Sequence, residues 1–208
     1  MAYSVATMIT AVRSLLNESA QAFFLDTEIT DWIAQATLDI STVSKSVEAA
    51  SSFGMLLGQW FYALPVDSIE VFHVVWDATK QALRKITPSM VGEDSPEVDG
   101  DRPLTWFEWG QRVYVNPVPD AAAAGQNVTV FYARSTTDVT LLNDRYQLLA
   151  IKYATYMGKL KDKRYAEAAA LYAEYGNSLI VRSLGIQQRL PQTEAELHLP
   201  ARTVTGGG

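Results

Sequence analysis

The sequence predicts an α+β fold: N- and C-terminal helices forming a helical bundle, with a mostly antiparallel β region inserted between them. Three observations lead there. Apolar residues recur at helical spacing near both ends of the chain. Between them, from about residue 59, the period shortens to the alternation of strands. No helical stretch separates one strand from the next, which disfavours βαβ units and a parallel sheet.

Each element follows from its local pattern. Val5, Met8, Ile9, Val12, Leu15 and Leu16 form the apolar stripe of a first helix, and Asn17-Glu18-Ser19 breaks it. After Phe23-Phe24, Asp26 or Thr27 can cap a second helix whose buried stripe is Ile29, Trp32, Ile33, Ala36, Ile40 and Val43. Strands are expected at Trp60 to Leu64, Ile69 to Trp76 and Ala82 to Ile86, with turns at Pro65-Val66-Asp67 and Asp77-Ala78-Thr79. The strand at 69–76 lacks clean alternation, so both its faces are expected to be covered. Gly92 to Asp101 is too rich in Gly, Pro and acids for regular structure. Leu104 to Trp109 and Val113 to Asn116 then read as a hairpin about Gly110-Gln111, and Val128 to Ala133 as a last strand.

The helical period returns with Tyr146, Leu149, Ala150, Tyr153 and Met157, capped by Thr140 or Asn143. A longer helix, capped by Asp162, carries Tyr165, Ala168, Ala169, Leu171, Tyr172, Tyr175 and Leu179. From Leu184 the periodicity fades into an extended or disordered tail ending in three glycines. The expected organisation is N-terminal helices over 1–58, a β domain over 59–135, C-terminal helices over 136–184 and a tail over 185–208.

Composition narrows the function classes. With 208 residues, 48% apolar and 19% charged, the chain can bury one sizeable core, or one core with an insertion. The absence of cysteine excludes thiol nucleophiles, disulfides and thiolate metal sites. No apolar window approaches the ~18 residues of a membrane span. Met1-Ala2-Tyr3-Ser4 lacks the basic and apolar runs of a signal peptide, so the expectation is a soluble protein made in the cytoplasm. A net charge of −6 argues against a surface that grips nucleic acid. Five Trp and ten Tyr exceed what one core of this size ordinarily uses. Some can cap the β region's core, and others can serve at contact surfaces.

Candidates for chemistry are few. His73 sits among apolar strand neighbours and reads as a buried or edge residue, and His198 lies in the tail. Nucleophile-elbow, phosphate-loop, dinucleotide and zincin patterns are all missing. The acidic run Glu93, Asp94, Glu97, Asp99, Asp101 offers carboxylates for Ca²⁺ or Mg²⁺, or an acid–base pair. Asp99-Gly100-Asp101 resembles part of a calcium loop, but Glu108 is misplaced for the closing ligand, and a solvated loop is the favoured reading. Lys152, Lys159, Lys161, Lys163 and Arg164 gather at a helix junction, where solvation accounts for most of them. A charge-matched subunit contact comes second and nucleic acid third. No cofactor is expected.

Order along the chain then supplies a resemblance. Tyr62-Ala63-Leu64-Pro65-Val66-Asp67 comes first, followed by the arm Val113-Tyr114-Val115-Asn116-Pro117-Val118-Pro119. The strand Val128-Thr129-Val130-Phe131-Tyr132-Ala133 precedes Leu148-Leu149-Ala150-Ile151-Lys152-Tyr153-Ala154 and the Tyr165-to-Tyr175 helix. Over residues 5–185 this sequence resembles phage head-to-tail adaptor proteins, and its plan is similar to the tubular tail proteins of short-tailed phages. The resemblance implies a structural virion protein at the head–tail junction, without catalytic residues, in a homo-oligomeric ring of twelve. The ring would bind below the portal protein and above a downstream tail or nozzle protein, with DNA passing through unbound. A tail-tube, stopper or nozzle-layer component is the alternative, and a metal-dependent hydrolase using the acidic loop a third.

Mapped onto this chain, the resemblance implies a portal-docking tail carrying Leu184, Ile186, Arg189, Leu190, Leu197, Leu199 and Arg202. Neighbour or tail contacts would fall on Glu93, Asp94, Asp99, Asp101, Trp106, Trp109 and Tyr114, and on the loop Ala121–Gly125. A ring needs two different complementary faces, for which Trp60, Trp76, Trp106, Trp109 and Tyr114 are candidate anchors. The negative net charge further suggests a DNA passage that repels the phosphate backbone.

Overall fold

The computed structural model describes residues 3–18, 22–91 and 102–187. Four helices pack around one apolar cluster and eight strands around another. Helix α1 (Val5–Leu16) opens at Ser4, whose hydroxyl accepts from the Thr7 amide at 3.2 Å, and closes at Asn17 in the left-handed region. Helix α2 (Asp26–Ser44) begins one residue earlier than its capping signal suggests. Leu25 holds the N-cap position, and Glu28 reaches back to accept from the Leu25 amide at 3.0 Å. Asp26 is engaged by Arg13 instead of capping the helix. The expected stripe of α2 is buried except for Val43, which points outward.

Helix α3 (Asp144–Lys161) is capped by Asn143, one of the two residues that the sequence offers, while Thr140 falls in the short 3-10 helix before it. Asp162, expected to start the last helix, instead ends α3: its amide donates to the Gly158 carbonyl at 3.0 Å. Helix α4 (Tyr165–Gln187) therefore starts after Lys163, which takes positive φ, and runs past the point where a tail was expected to begin. Close approach of α1 to α3 depends on Gly158, where a Cβ would lie 2.5 Å from Leu16 Cδ1. Gln147, fully buried, accepts from the Tyr3 amide and donates to the carbonyls of Val139 and Leu142, tying the N-terminus and a short 3-10 helix (Val139–Leu141) to α3.

The β region holds strands β1 (Glu48–Gly54), β2 (Phe61–Ala63), β3 (Ser68–Trp76), β4 (Gln81–Ala82) and β5 (Arg84–Lys85). After a 3-10 turn at Pro88–Val91 come β6 (Thr105–Trp109), β7 (Arg112–Asn116) and β8 (Asn127–Arg134). They form two four-stranded sheets, β1-β8-β3-β4 and β2-β7-β6-β5, antiparallel throughout except for the short parallel pair β5–β6. The first strand starts at Glu48, ahead of the alternation read from residue 59. Its Glu-Ala-Ala-Ser-Ser-Phe-Gly has no apolar run, and only pairing with β8 makes it a strand.

The single strand expected over 82–86 is two. Leu83 turns inward, its amide bonded to the Val74 carbonyl, and the chain crosses from one sheet to the other, where Arg84 bonds Leu104. Strand β3 lost its alternation because its register against β8 shifts twice, between Ser68 and Glu70 and between Val71 and His73. Each extra residue resets which face the next side chain takes. His73 consequently ends on the surface. Gly110 and Gln111, both at positive φ, make the two-residue turn that joins β6 and β7, in agreement with the sequence.

Candidate interaction surfaces

Among the described residues no cluster of three or more metal-ligating side chains occurs, and no helix is long and apolar enough to cross a membrane. Glu93, Asp94, Asp99 and Asp101 lie outside the described residues, as do Arg189, Leu190, Leu197, Leu199, Arg202 and His198. Leu184 is exposed on α4, and Ile186 falls in that helix's last turn.

Side-chain alternation sorts the aromatic candidates. Trp106 faces inward between the sheets at 1% exposure, its indole N–H donating to the Leu83 carbonyl at 3.1 Å and the Lys85 ammonium lying 5.0 Å from its ring. Trp76 is buried in the same cluster. Both belong to the core of the β region in this chain. Their neighbour Glu108 uses its carboxylate to accept from the Val71 amide at 3.1 Å, satisfying backbone where β3 is irregular.

The opposite face of the β6–β7 pair carries an aromatic row. Tyr114 stacks on Phe107 with centroids 4.6 Å apart and meets Trp60 edge-on at 5.0 Å. Phe61 adjoins Tyr114, and the Arg112 guanidinium lies 4.8 Å from the Phe61 ring. Trp109, beside the hairpin turn, is 65% exposed and is the one tryptophan among the described residues that projects into solvent. Tyr114 is half-buried within the row. The loop Ala121–Gly125 is held by Asp120, whose carboxylate accepts from the amides of Ala122 and Ala123, and Ala123 is buried.

The basic group at the α3–α4 junction is largely neutralised within the chain. Lys152 pairs with Glu174, Lys159 with Glu167 at 3.3 Å, Lys161 with Glu28 at 2.7 Å, and Arg164 with Glu167. Hydrogen bonding from Lys161, then from the Leu25 amide, holds the Glu28 carboxyl below its ordinary value, and Arg164 does the same for Glu167. A carboxyl whose folded-state value is depressed contributes stability above its unfolded value and loses it as pH falls through the folded one. The melting temperature is therefore expected to hold from neutral pH down to about 4.5 and to decline below it. Glu28→Gln should lower the melting temperature at neutral pH and flatten the acid decline. An unchanged acid limb in thermal melts of E28Q would remove Glu28 from this account.

The outer helix surfaces are a feature the sequence reading passed over. Helix α4 has three charged residues in 23, Glu167, Glu174 and Arg182, and its buried residues are Ala168, Tyr175, Leu179 and Ser183. Burial pushes the Tyr175 hydroxyl far up, and its hydrogen bond to Asp39 fastens α4 to α2. Tyr165, Ala169 and Tyr172, placed on this helix by their spacing, are on the surface. The signal available in the sequence was the scarcity of charge along α4, which periodicity alone does not register.

The surfaces thus consist of an aromatic sheet face, an exposed tryptophan and uncharged helix faces, without a convergent polar site among the described residues. Among curated proteins there is no significant match. The family model for the SU10 adaptor protein matches residues 3–202, nearly the whole chain, and this chain belongs to that family.

Proposed function

We propose that the protein is the subunit of a structural ring at the phage head–tail junction, seated below the portal and lining part of the channel through which DNA passes. Membership of an adaptor family across residues 3–202 is the observation that carries this reading. The ring has twelve copies in this proposal, and no catalysis is assigned to it. The virion, assembled from subunits made in the host cytoplasm, is its location. The helical residues and the β residues would act as separate parts, one toward the portal and one toward the next tail component. Two separate apolar clusters support that division, since each part holds its own core.

The end of α4 and the segment after it are proposed to dock on the portal through Leu184, Ile186, Arg189, Leu190, Leu197, Leu199 and Arg202. A polar tail that orders only on its partner meets its folding cost at that step and so suits sequential assembly. Trp109 and the aromatic row beside it are proposed to meet a neighbour or the next tail protein, together with the acidic loop around Glu93–Asp101.

The test is electron microscopy of tailed particles with this subunit labelled, paired with native mass spectrometry of the chain mixed with portal protein. A closed ring at the junction is expected. A chain that stays monomeric with the portal and is missing from particles would overturn the proposal. Deleting residues 186–208 should abolish attachment to capsids while leaving the melting temperature of the remaining chain unchanged. Undiminished attachment would sink the docking assignment alone.

A further inference from the structure

Four of the ten tyrosines stand together across the α3–α4 hairpin. Tyr153 and Tyr156 lie three residues apart on one side of α3, and Tyr172 and Tyr175 three apart on one side of α4. The helices run antiparallel from the short connection at 162–164, which sets Tyr153 against Tyr175 and Tyr156 against Tyr172. These two rungs have ring centroids 5.3 and 5.0 Å apart. Contacts along each helix, 5.7 Å for Tyr153–Tyr156 and 6.2 Å for Tyr172–Tyr175, close the four rings into one cluster. Among the described residues, every ring contact between two tyrosines belongs to it.

The rungs differ in freedom. Tyr175 is 2% exposed, and its hydroxyl donates to the Asp39 carboxylate on α2. Tyr153 packs against the core of the helical residues and crosses Tyr175 edge-on at 61°. Close packing holds that pair edge to face, so the carbons beside their hydroxyl groups cannot turn toward each other. The outer rung is looser: Tyr156 is half-buried, Tyr172 is 53% exposed, and their rings are tilted by 38°. A surface ring changes rotamer on the picosecond-to-nanosecond scale, so this pair samples edge-to-edge contact without unfolding. The chain has no cysteine, and therefore no thiol to reduce a tyrosyl radical before it meets a second one.

We infer that one-electron oxidation of this chain joins Tyr156 to Tyr172 as a dityrosine, a covalent bond between α3 and α4. The inference concerns the single chain and is independent of the ring reading above. Each phenol gives one electron to the oxidant and its hydroxyl proton to water, leaving two tyrosyl radicals. Their unpaired electrons form one bond between the ring carbons beside the hydroxyl oxygens. The hydrogen on each of those carbons then leaves as a proton while a proton returns to each oxygen, restoring two aromatic phenols. Two electrons and two protons are lost in all, and both hydroxyls survive. The reagent class is a one-electron oxidant: a photo-oxidised ruthenium(III) complex, regenerated by persulfate, which ends as two sulfates. The product closes a covalent loop across the hairpin, which restricts the unfolded chain and raises stability as a disulfide does.

In the experiment the full chain is illuminated with tris(bipyridine)ruthenium(II) and persulfate. The band at monomer mass is cut from a denaturing gel, digested with trypsin and analysed by mass spectrometry. Cleavage after Lys152, Lys159, Arg164 and Arg182 separates Tyr153 and Tyr156 from Tyr172 and Tyr175. The expected product is these two peptides joined and lighter by two hydrogens, with fragment ions placing the bond at Tyr156 and Tyr172. Dityrosine fluorescence of the monomer band should be lost in Tyr156→Phe and in Tyr172→Phe. It should be retained in Tyr153→Phe and in Tyr165→Phe, a position 63% exposed but in contact with no other tyrosine ring. Phenylalanine keeps the ring in each variant, so the hairpin packing is preserved. The oxidised wild-type chain should also melt above equally treated Y156F. A joined peptide found at dimer mass alone, a bond at Tyr153 or Tyr175, or undiminished monomer fluorescence in Y156F overturns the inference. So does a monomer band without dityrosine at a dose that oxidises the exposed Trp109.

Discussion

Trp106→Ala is expected to destabilise the protein by about 3–5 kcal/mol, the largest effect of any single substitution considered. Trp106 is 1% exposed in the cluster shared by the two sheets, where it meets residues from both. Truncation leaves a cavity that a β framework pinned by two ladders cannot collapse to fill. It also strands the Leu83 carbonyl at the crossover between sheets, whose present donor is the indole N–H. For a chain of this length the melting temperature should fall by on the order of 10 °C. Trp106→Phe should lose less, because much of the volume remains and only the hydrogen bond is removed. Trp109→Ala, at a 65% exposed position, should leave stability unchanged. Urea unfolding of the three variants checks the ranking. Equal midpoints for W106A and W109A would refute the placement of Trp106 in the core.

Arg13→Ala comes second, at about 3 kcal/mol, the low end of the range for removing one partner from a buried ion pair. The guanidinium of Arg13 donates to Asp26 Oδ1 at 2.6 Å, to Glu18 Oε2 at 2.7 Å and to the Phe24 carbonyl at 2.8 Å. It thereby joins the end of α1 to the start of α2. The carboxylates differ in what they would suffer: the Asp26 side chain is 55% exposed and can rehydrate, whereas Glu18 is 12% exposed. Glu18 keeps the amides of Ala22, Phe23 and Phe24, so most of the expected loss comes from the buried Phe24 carbonyl and the lost tie between the two helices. Arg13→Lys should recover only part of it, since an ammonium cannot present the planar fork that spans three acceptors. Arg13→Ala combined with Glu18→Gln should cost less than R13A alone. If the double variant is as unstable as the sum of the two singles, the coupling is absent.

Both substitutions act at positions whose importance the sequence expressed poorly. Arg13 is the one charged residue of α1, and spacing offers no hint that it faces inward, because its acceptors lie in the next connection and helix. Trp106 and Trp109 sit three residues apart in one predicted strand, and the sequence treats them alike as contact candidates. Only the stacking of a second sheet decides that one is core and the other surface.

What the sequence by itself determined is what near neighbours decide. The four helices, the cap at Asn143, the hairpin turn at Gly110-Gln111 and the antiparallel strands between the helical ends depend on residues a few positions apart, and each was legible there. The tertiary structure decided what depends on distant partners. Strand β1 exists because Glu48 through Gly54 finds Asn127 through Arg134, and its own small polar residues carry no strand signature. The crossover at Leu83, the irregularities of β3 and the inward turn of Trp106 likewise arise from two sheets sharing one core. For α4 the division is most pronounced. Its helical spacing and scarcity of charge are local, and only packing on α2 and α3 selects Ala168, Tyr175, Leu179 and Ser183 as its buried residues.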